Sequence, residues 1–356
     1  MGCSAAGGRP VRVHRTRNVM NVPPVTSSGW TFVLKGLRVM ANAINTSLAV
    51  DQEGQVSAQP TRKRRIKTET LWGLACVSPA IIGFLLFEIG PMIASFVLSF
   101  TDWSVTGKAS WLGFANYRQL FGQDDLFRTA ARVTVTYAVI SVPLQLLVAF
   151  LLALLLNEKI KGVSFFRTIF YLPSTVPLIA SSVLWIWMYN PDFGLFNALL
   201  DKFNIPAQQW IYASDSVIPS LILMSLWSVG PMMIIFLAGL TAVPQHLYEA
   251  VSLDGGNVWN RLFSVTIPMI TPTLLFNLVL GIIGSLQTFT QAYVMTDGGP
   301  GNSSLFYGLY LYRKAFQEGQ LGYAAALGVI QFFVIAALSL FVFRTSSRWV
   351  HYGGEG

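Results

Sequence analysis

The sequence predicts an all-α, polytopic membrane protein with six transmembrane helices. Three observations carry this. Only 11% of the 356 residues are charged and 53% are hydrophobic, whereas a soluble domain carries about 25% charged residues. Six apolar runs, at roughly 71–100, 133–157, 168–189, 217–240, 267–293 and 324–344, each reach the ~20 residues a helix needs to cross a bilayer. Runs this long and continuous exclude the short alternating strands of a membrane β-barrel.

Residues 1–67 form a separate zone, polar and without sustained period, expected to be a largely disordered cytoplasmic tail. Trp30–Met40 reads as a fluctuating segment, with a surface helix as the alternative. Met20 and Met40 are alternative starts, and no apolar stretch before residue 60 is long enough for a cleavable signal peptide. MGCSAA resembles a myristoylation signal but has Ala6 where Ser or Thr is wanted. The cysteines Cys3 and Cys76 do not suggest a disulfide framework.

TRKRRIK, ending at Lys67, precedes the first run and places the N-terminus inside. With six spans, both termini are then cytoplasmic. Lys159, Lys161 and Arg167 in the second inside loop, and Arg344 and Arg348 after the sixth run, agree. The outer loops carry both signs, so the N-terminal cluster decides. The net charge of +8 thus reads as membrane orientation and not as nucleic-acid binding. The predicted layout is a tail at 1–67, a six-helix domain at 68–346 and a short cytoplasmic tail at 347–356. Pro79, Pro91, Pro143, Pro173, Pro177, Pro219, Pro231 and Pro272 fall inside runs and predict bent helices, although membrane helices tolerate proline in general.

Between the fourth and fifth runs lies VPQHLYEAVSLDGGNVWNRLFSVTIP. Pro244 suits a first helical turn, and Gln245–Leu253 reads as a short helix with Leu247, Tyr248 and Val251 on one apolar face. Gly255–Gly256 ends it, and Asn257 caps a second short helix leading back to the membrane at Pro268. An acid, Glu249, on a helix–turn–helix elbow suggests a part that docks into another protein.

This elbow resembles the cytoplasmic signature of binding-protein-dependent ABC importer permeases, E-A-A-x3-G-x9-I-x-L-P. Glu249, Ala250 and Gly255 match, Val265, Ile267 and Pro268 close the pattern, and Val251 replaces the second Ala. WLGFANYRQLF (Trp111 to Phe121), YLPSTVPLIASSVLWIWMYNPDFGLFN and MTDGGPGNSSLFYGLYLYRKAFQEGQLGYAAALG resemble the sugar-type, maltose/multiple-sugar, subfamily. The resemblance implies a type I ABC importer permease fold with a coupling helix at 244–263. It implies a second homologous permease chain, with a homodimer as the alternative, two cytoplasmic ATPase subunits, an extracellular or periplasmic binding protein, and a bacterial plasma membrane. It places Glu249 against a donor in the ATPase groove, Asp254 and Gly255 in the turn, and Leu247, Tyr248 and Val251 on the ATPase, with Ala250 among them.

No G-x-x-x-x-G-K-[ST] occurs; Gly107–Lys108 lacks the upstream Gly and the hydroxyl. The chain is therefore expected to be no enzyme and to bind no cofactor or metal, with ATP and Mg held by the partner ATPase. Glu88, read as near the outer end of its span, is the exception in runs almost free of ionisable residues. Ion-driven carriers place acids near the midplane, so neutral spans favour a neutral polar solute, a sugar or related polyol. Glycerol phosphates stay open. A stand-alone carrier or channel and a membrane assembly factor are the alternatives.

Candidate solute residues are Gly284, Ser285, Gln287, Thr288, Phe289 and Gln291 on the fifth run, and Ser225, Trp227, Ser228 and Met232 around Pro231 on the fourth. The resemblance matches Gly284, Ser285 and Thr288 most directly. Each polar group could equally join two spans by a hydrogen bond; the constellation on the fifth run favours the solute. Trp185, Trp187 and Tyr189 read as an interfacial aromatic belt.

Overall fold

The computed structural model describes residues 68–104, 107, 109–158 and 161–351. The expected tail at 1–67, with Trp30–Met40, lies outside the described residues. The chain divides after Trp72; of the N-terminal unit only Thr68–Trp72 are described, and the packing below is that of Gly73–Gly356.

Among the described residues, four helices are long and apolar enough to cross a membrane: Trp72–Leu98, Asp125–Asn157, Thr271–Met295 and Leu321–Ser346. Two bent pairs, Val163–Thr175 with Leu178–Met188 at 98° and Val217–Leu226 with Gly230–Thr241 at 48°, have together the length and apolar character of a crossing. Counting each pair as one crossing gives six, named here the first to sixth spans in chain order.

The prolines explain most of the bends, though not uniformly. In the third span Pro173 starts a 3-10 turn, and Pro177 forces Val176 into extended backbone, ψ 130°, so the helix stops and restarts in a new direction. In the fourth, Pro231 opens the second half. Pro143 instead sits within the unbroken helix Asp125–Asn157. Pro91 and Pro268 follow π-helical turns at Leu85–Ile89 and Leu262–Thr266. Such a wide turn relieves the clash between the proline ring and the preceding carbonyls.

The second span is the hub. Val142, Leu146, Ala149 and Ala153 are buried in one apolar cluster with Met233, Phe236 and Leu240 of the fourth span. Two alanines at this contact let the backbones approach, as membrane helix packing requires. A second, outer cluster joins Tyr137, Trp185, Tyr189, Leu305 and Phe306. Trp185 and Tyr189 are thus core, and only Trp187, 69% exposed, faces outward as a belt residue does. The reason is the segment after the third span, which folds back: Phe196 and Trp210 stack on Tyr189 at 5.2 and 5.3 Å, and the Tyr189 hydroxyl donates to the Ser220 carbonyl at 2.7 Å.

The segment between the fifth and sixth spans is also packed down. Tyr307 N donates to Thr134 Oγ1 of the second span at 2.8 Å, and Phe306 meets Tyr137 edge to face at 5.1 Å. Asp124 caps the second span: Oδ1 accepts from Phe127 N at 2.9 Å, and Oδ2 accepts from the hydroxyls of Tyr310 and Tyr323. Burial pushes the Asp124 carboxyl up, but the hydrogen bonds from Tyr310, Tyr323 and Phe127, with Lys314 nearby, hold it below its ordinary value overall. At the other end, Val350 is buried beside Leu275 and Val279 of the fifth span, and His351 N donates to Thr271 Oγ1 at 2.9 Å. The C-terminal segment therefore lies on the same side as the elbow.

The first span stands apart: none of Trp72–Leu98 is buried. Glu88 lies on its π turn and is exposed. It lies sixteen residues from Trp72 and ten from Leu98, so about 15 Å of helix at ~1.5 Å per residue separates it from the Leu98 end.

Candidate functional site: a polar cavity and an exposed elbow

The fourth span breaks at Trp227–Val229 and the fifth at Gln287–Phe289, where Phe289 adopts φ −139°, ψ −60°. Both interruptions border one cavity of about 230 Å³. Interrupted helices free backbone polar groups at membrane depth, tolerable where they line a cavity.

The cavity collects seven of the residues singled out from the sequence: Ser225, Ser228 and Met232 from the fourth span, and Gly284, Ser285, Thr288 and Gln291 from the fifth. Three others lie elsewhere. Trp227 packs toward the outer cluster, 6.0 Å from Trp185. Gln287 is exposed, and Phe289 stacks on Tyr293 at 5.5 Å and meets Tyr312 at a tilt, 5.2 Å away. The backbone break turns Gln287 and Phe289 away from the face that Ser285, Thr288 and Gln291 share.

Sequence reasoning missed the second span's contribution. Tyr137 and Gln145 line the cavity, as does Leu178 of the third span. Gln145 Nε2 donates to Ser225 Oγ at 2.9 Å, and Gln291 Nε2 to the Tyr137 hydroxyl at 3.0 Å. Ser225 Oγ in turn donates to the Ile222 carbonyl at 2.7 Å. The signal was present: Tyr137, Ser141 and Gln145 recur every fourth residue in an otherwise apolar run, one helical face. Gly281 keeps the walls close, since a Cβ there would come 3.1 Å from Val142 Cγ1 and 3.4 Å from Met232 Cε. No Asp, Glu, Lys, Arg or His is among the lining residues.

The elbow has the form its sequence predicts. Gln245–Leu253 is helical, Gly255 takes φ +76°, and Gly256 N closes the turn on the Val251 carbonyl at 2.8 Å. Asn257 caps Val258–Arg261 by accepting from Asn260 N at 2.9 Å. Leu247, Tyr248 and Val251 are half-buried, and the Tyr248 hydroxyl lies 3.1 Å from Thr266 Oγ1. This apolar face is turned toward the chain's own return segment into the fifth span. Glu249, Ala250, Asp254 and Gly255 are exposed, together with Leu253 at 89%, Val258 at 75% and Trp259 at 65%. Among the described residues Glu249 has no ion-pair partner. Groups of His, Cys, Asp and Glu suited to a metal ion are absent among the described residues.

A polar, charge-free cavity lined by the second to fifth spans, with an exposed elbow carrying Glu249 between the fourth and fifth, defines a polytopic helical transport subunit. Residues 145–352 match the family described as the binding-protein-dependent transport system inner membrane component. The chain is 40% identical over 295 residues to the probable ABC transporter permease protein YesP of Bacillus subtilis, covering 82% of this chain and 95% of that one. It is 31% identical to the trehalose/maltose transport system permease protein MalF of Thermococcus litoralis, covering 76% and 92%. A crystal structure of a bacterial alginate ABC transporter, in complex with an alginate pentasaccharide-bound periplasmic protein, superposes with TM-score 0.71 at 25% identity, covering 79% of this chain and 95% of that one. The chain belongs to the family of binding-protein-dependent ABC importer permeases. It is a multi-pass bacterial membrane protein, and its family is one of transport subunits and not of enzymes.

Proposed function

We propose that this permease forms the path for a neutral sugar, a di- or oligosaccharide or related polyol, delivered by an extracellular binding protein. The carrying observation is the cavity at the two helix breaks, lined by Tyr137, Gln145, Ser225, Ser285, Thr288 and Gln291 without an Asp, Glu, Lys, Arg or His. Neutral hydroxyls can exchange with the bonds these groups make among themselves, whereas a desolvated charge there finds no counter-charge. The relatives named for trehalose/maltose and alginate transport support the sugar class.

ATP, with Mg, is hydrolysed on this reading by two separate cytoplasmic chains, and a second homologous permease completes the path. Both termini are cytoplasmic. The elbow is the coupling helix, offering Glu249, Ala250, Asp254, Gly255 and the neighbouring exposed Leu253, Val258 and Trp259 to an ATPase groove, while Leu247, Tyr248 and Val251 brace it from beneath. The test is a pull-down from detergent-solubilised native membranes, paired with sugar uptake into vesicles. An ATPase retained by the wild type and lost with Glu249→Ala plus Gly255→Pro, and uptake that stops on ATP depletion at intact membrane potential, are expected. Absence of an ATPase with both chains, or uptake that follows the membrane potential, overturns the reading.

A further inference from the structure

Phe289, which the break in the fifth span turns away from the cavity face, begins a different surface. Its ring stacks on Tyr293 with the planes 12° apart, and both rings meet Tyr312, at 5.2 and 5.3 Å. Tyr312 in turn meets Phe316, on the π turn Arg313–Gln317, at 5.2 Å. Gly308 makes this meeting possible. A Cβ there would come 3.1 Å from the Thr288 carbonyl and 3.4 Å from Phe289 Cβ, so glycine lets the short helix Tyr307–Tyr312 lie against the break. The four rings are not core: Tyr293 is 40% and Phe316 72% exposed, and Phe289 and Tyr312 are half-buried.

The two ends of this aromatic surface indicate its occupant. At one end Phe289 lies in the chain between Thr288 and Gln291, both of which line the polar cavity. At the other, Phe316 is flanked by charge: Lys314 pairs with Glu318 at 2.7 Å and Arg313 with Asp297 at 3.2 Å, both acids being exposed. Exposed charges of this kind are stable in water and costly in hydrocarbon, so a lipid tail is a poor match there. A surface of ring faces that runs from water to a neutral polar cavity suits a molecule with both characters. A glycosyl ring has them: its C–H bonds pack on the electron-rich aromatic face while its hydroxyls stay with water and with the tyrosine hydroxyls.

We propose that Phe289, Tyr293, Tyr312 and Phe316 form a stacking track for glycosyl rings that continues the polar cavity, so that the far units of an oligosaccharide rest on Tyr312 and Phe316 while its leading unit occupies the cavity. The proposal rests on the reading of the protein as a sugar permease and adds a second site, with the residues that favour longer saccharides over shorter ones.

The test uses whole cells carrying the complete transporter, fed a mixed partial hydrolysate of plant and algal polysaccharides. Depletion of each saccharide from the medium is followed by mass spectrometry against cells lacking the permease. Phe316→Leu, at an exposed position that leaves the packing intact, should slow uptake of the longer saccharides about two- to tenfold relative to the shortest one taken up, the scale of one lost aromatic contact. The binding protein is the same in both strains, so the changed length distribution reports on the permease. Phe316→Trp, which keeps a ring face, should retain the wild-type distribution. A photoreactive amino acid at position 316 should give peptides heavier by whole glycosyl units when irradiated during uptake. An unchanged distribution in Phe316→Leu, a loss in Phe316→Trp equal to that in Phe316→Leu, or adducts to lipid or protein alone overturn the proposal, while continued saccharide uptake keeps the sugar reading. If the wild type depletes no saccharide beyond cells lacking the permease, the sugar reading itself fails, and the proposal with it.

Discussion

Replacing Gly255 isolates one energetic term. Its φ of +76° lies in the left-handed region, and a Cβ built there meets nothing within 4 Å. The cost of a side chain at this position is therefore backbone strain and not a clash. For an ordinary L-residue that strain is about 1–2 kcal/mol, a factor of roughly 5–30 in the closed-to-open population of the elbow. Asn tolerates the conformation best among non-glycine residues, Ala carries the full cost and Val adds β-branching. The series Gly255→Asn, Gly255→Ala, Gly255→Val should weaken the elbow in that order. Gly256 gives the contrast, since its added Cβ comes 2.8 Å from the Val251 carbonyl, so Gly256→Ala clashes with the backbone that closes the turn. The assay is hydrogen exchange of the Asp254, Gly255 and Gly256 amides, whose acceptors are the carbonyls of Ala250, Ser252 and Val251, in lipid nanodiscs. Exchange through local opening should speed by about 5–30-fold in Gly255→Ala. Equal protection across the three Gly255 variants, or a Gly255→Ala effect matching Gly256→Ala, refutes the strain argument.

Three further outcomes are expected. Asp124→Asn should lower thermal stability on the order of 1–2 kcal/mol, discounted for its partial exposure. Because the Asp124 carboxyl is held below its ordinary value, this contribution is present above the unfolded pKa and lost as pH falls through the folded one, so acid unfolding of wild type and variant should converge at low pH. Gly230→Ala places a Cβ 2.8 Å from the Phe170 carbonyl and 2.9 Å from Tyr171 Cα; overpacking of about 1–3 kcal/mol should appear as a lower melting temperature in detergent. Tyr137→Phe removes the acceptor of Gln291 Nε2 and should raise the KM for uptake about two- to tenfold with the fold intact; an unchanged KM argues against a solute contact.

The elbow was legible because its determinants are local. A proline at its start, a left-handed glycine after Leu253 and an asparagine cap are properties of neighbouring residues, and no distant contact has to overrule them. The aromatic residues ending the third span were misread for the opposite reason. A Trp–Tyr cluster beside an outer loop looks like a membrane belt until the segment holding Phe196 and Trp210 folds over it.

The class of molecule and the elbow could be read from the residue order alone. Long apolar runs leave the helix as the structure that satisfies the backbone in lipid, and the basic cluster before the first run orients the expected topology. Which polar side chains meet depends on how the spans pack. Helical spacing placed Ser285, Thr288 and Gln291 on one face, but the breaks at Trp227–Val229 and Gln287–Phe289 set which neighbours share the cavity, admitting Tyr137 and Gln145 and turning Gln287 and Phe289 away. A residue's period along its own helix reports its face, whereas the partner that face meets depends on packing between spans far apart in the chain.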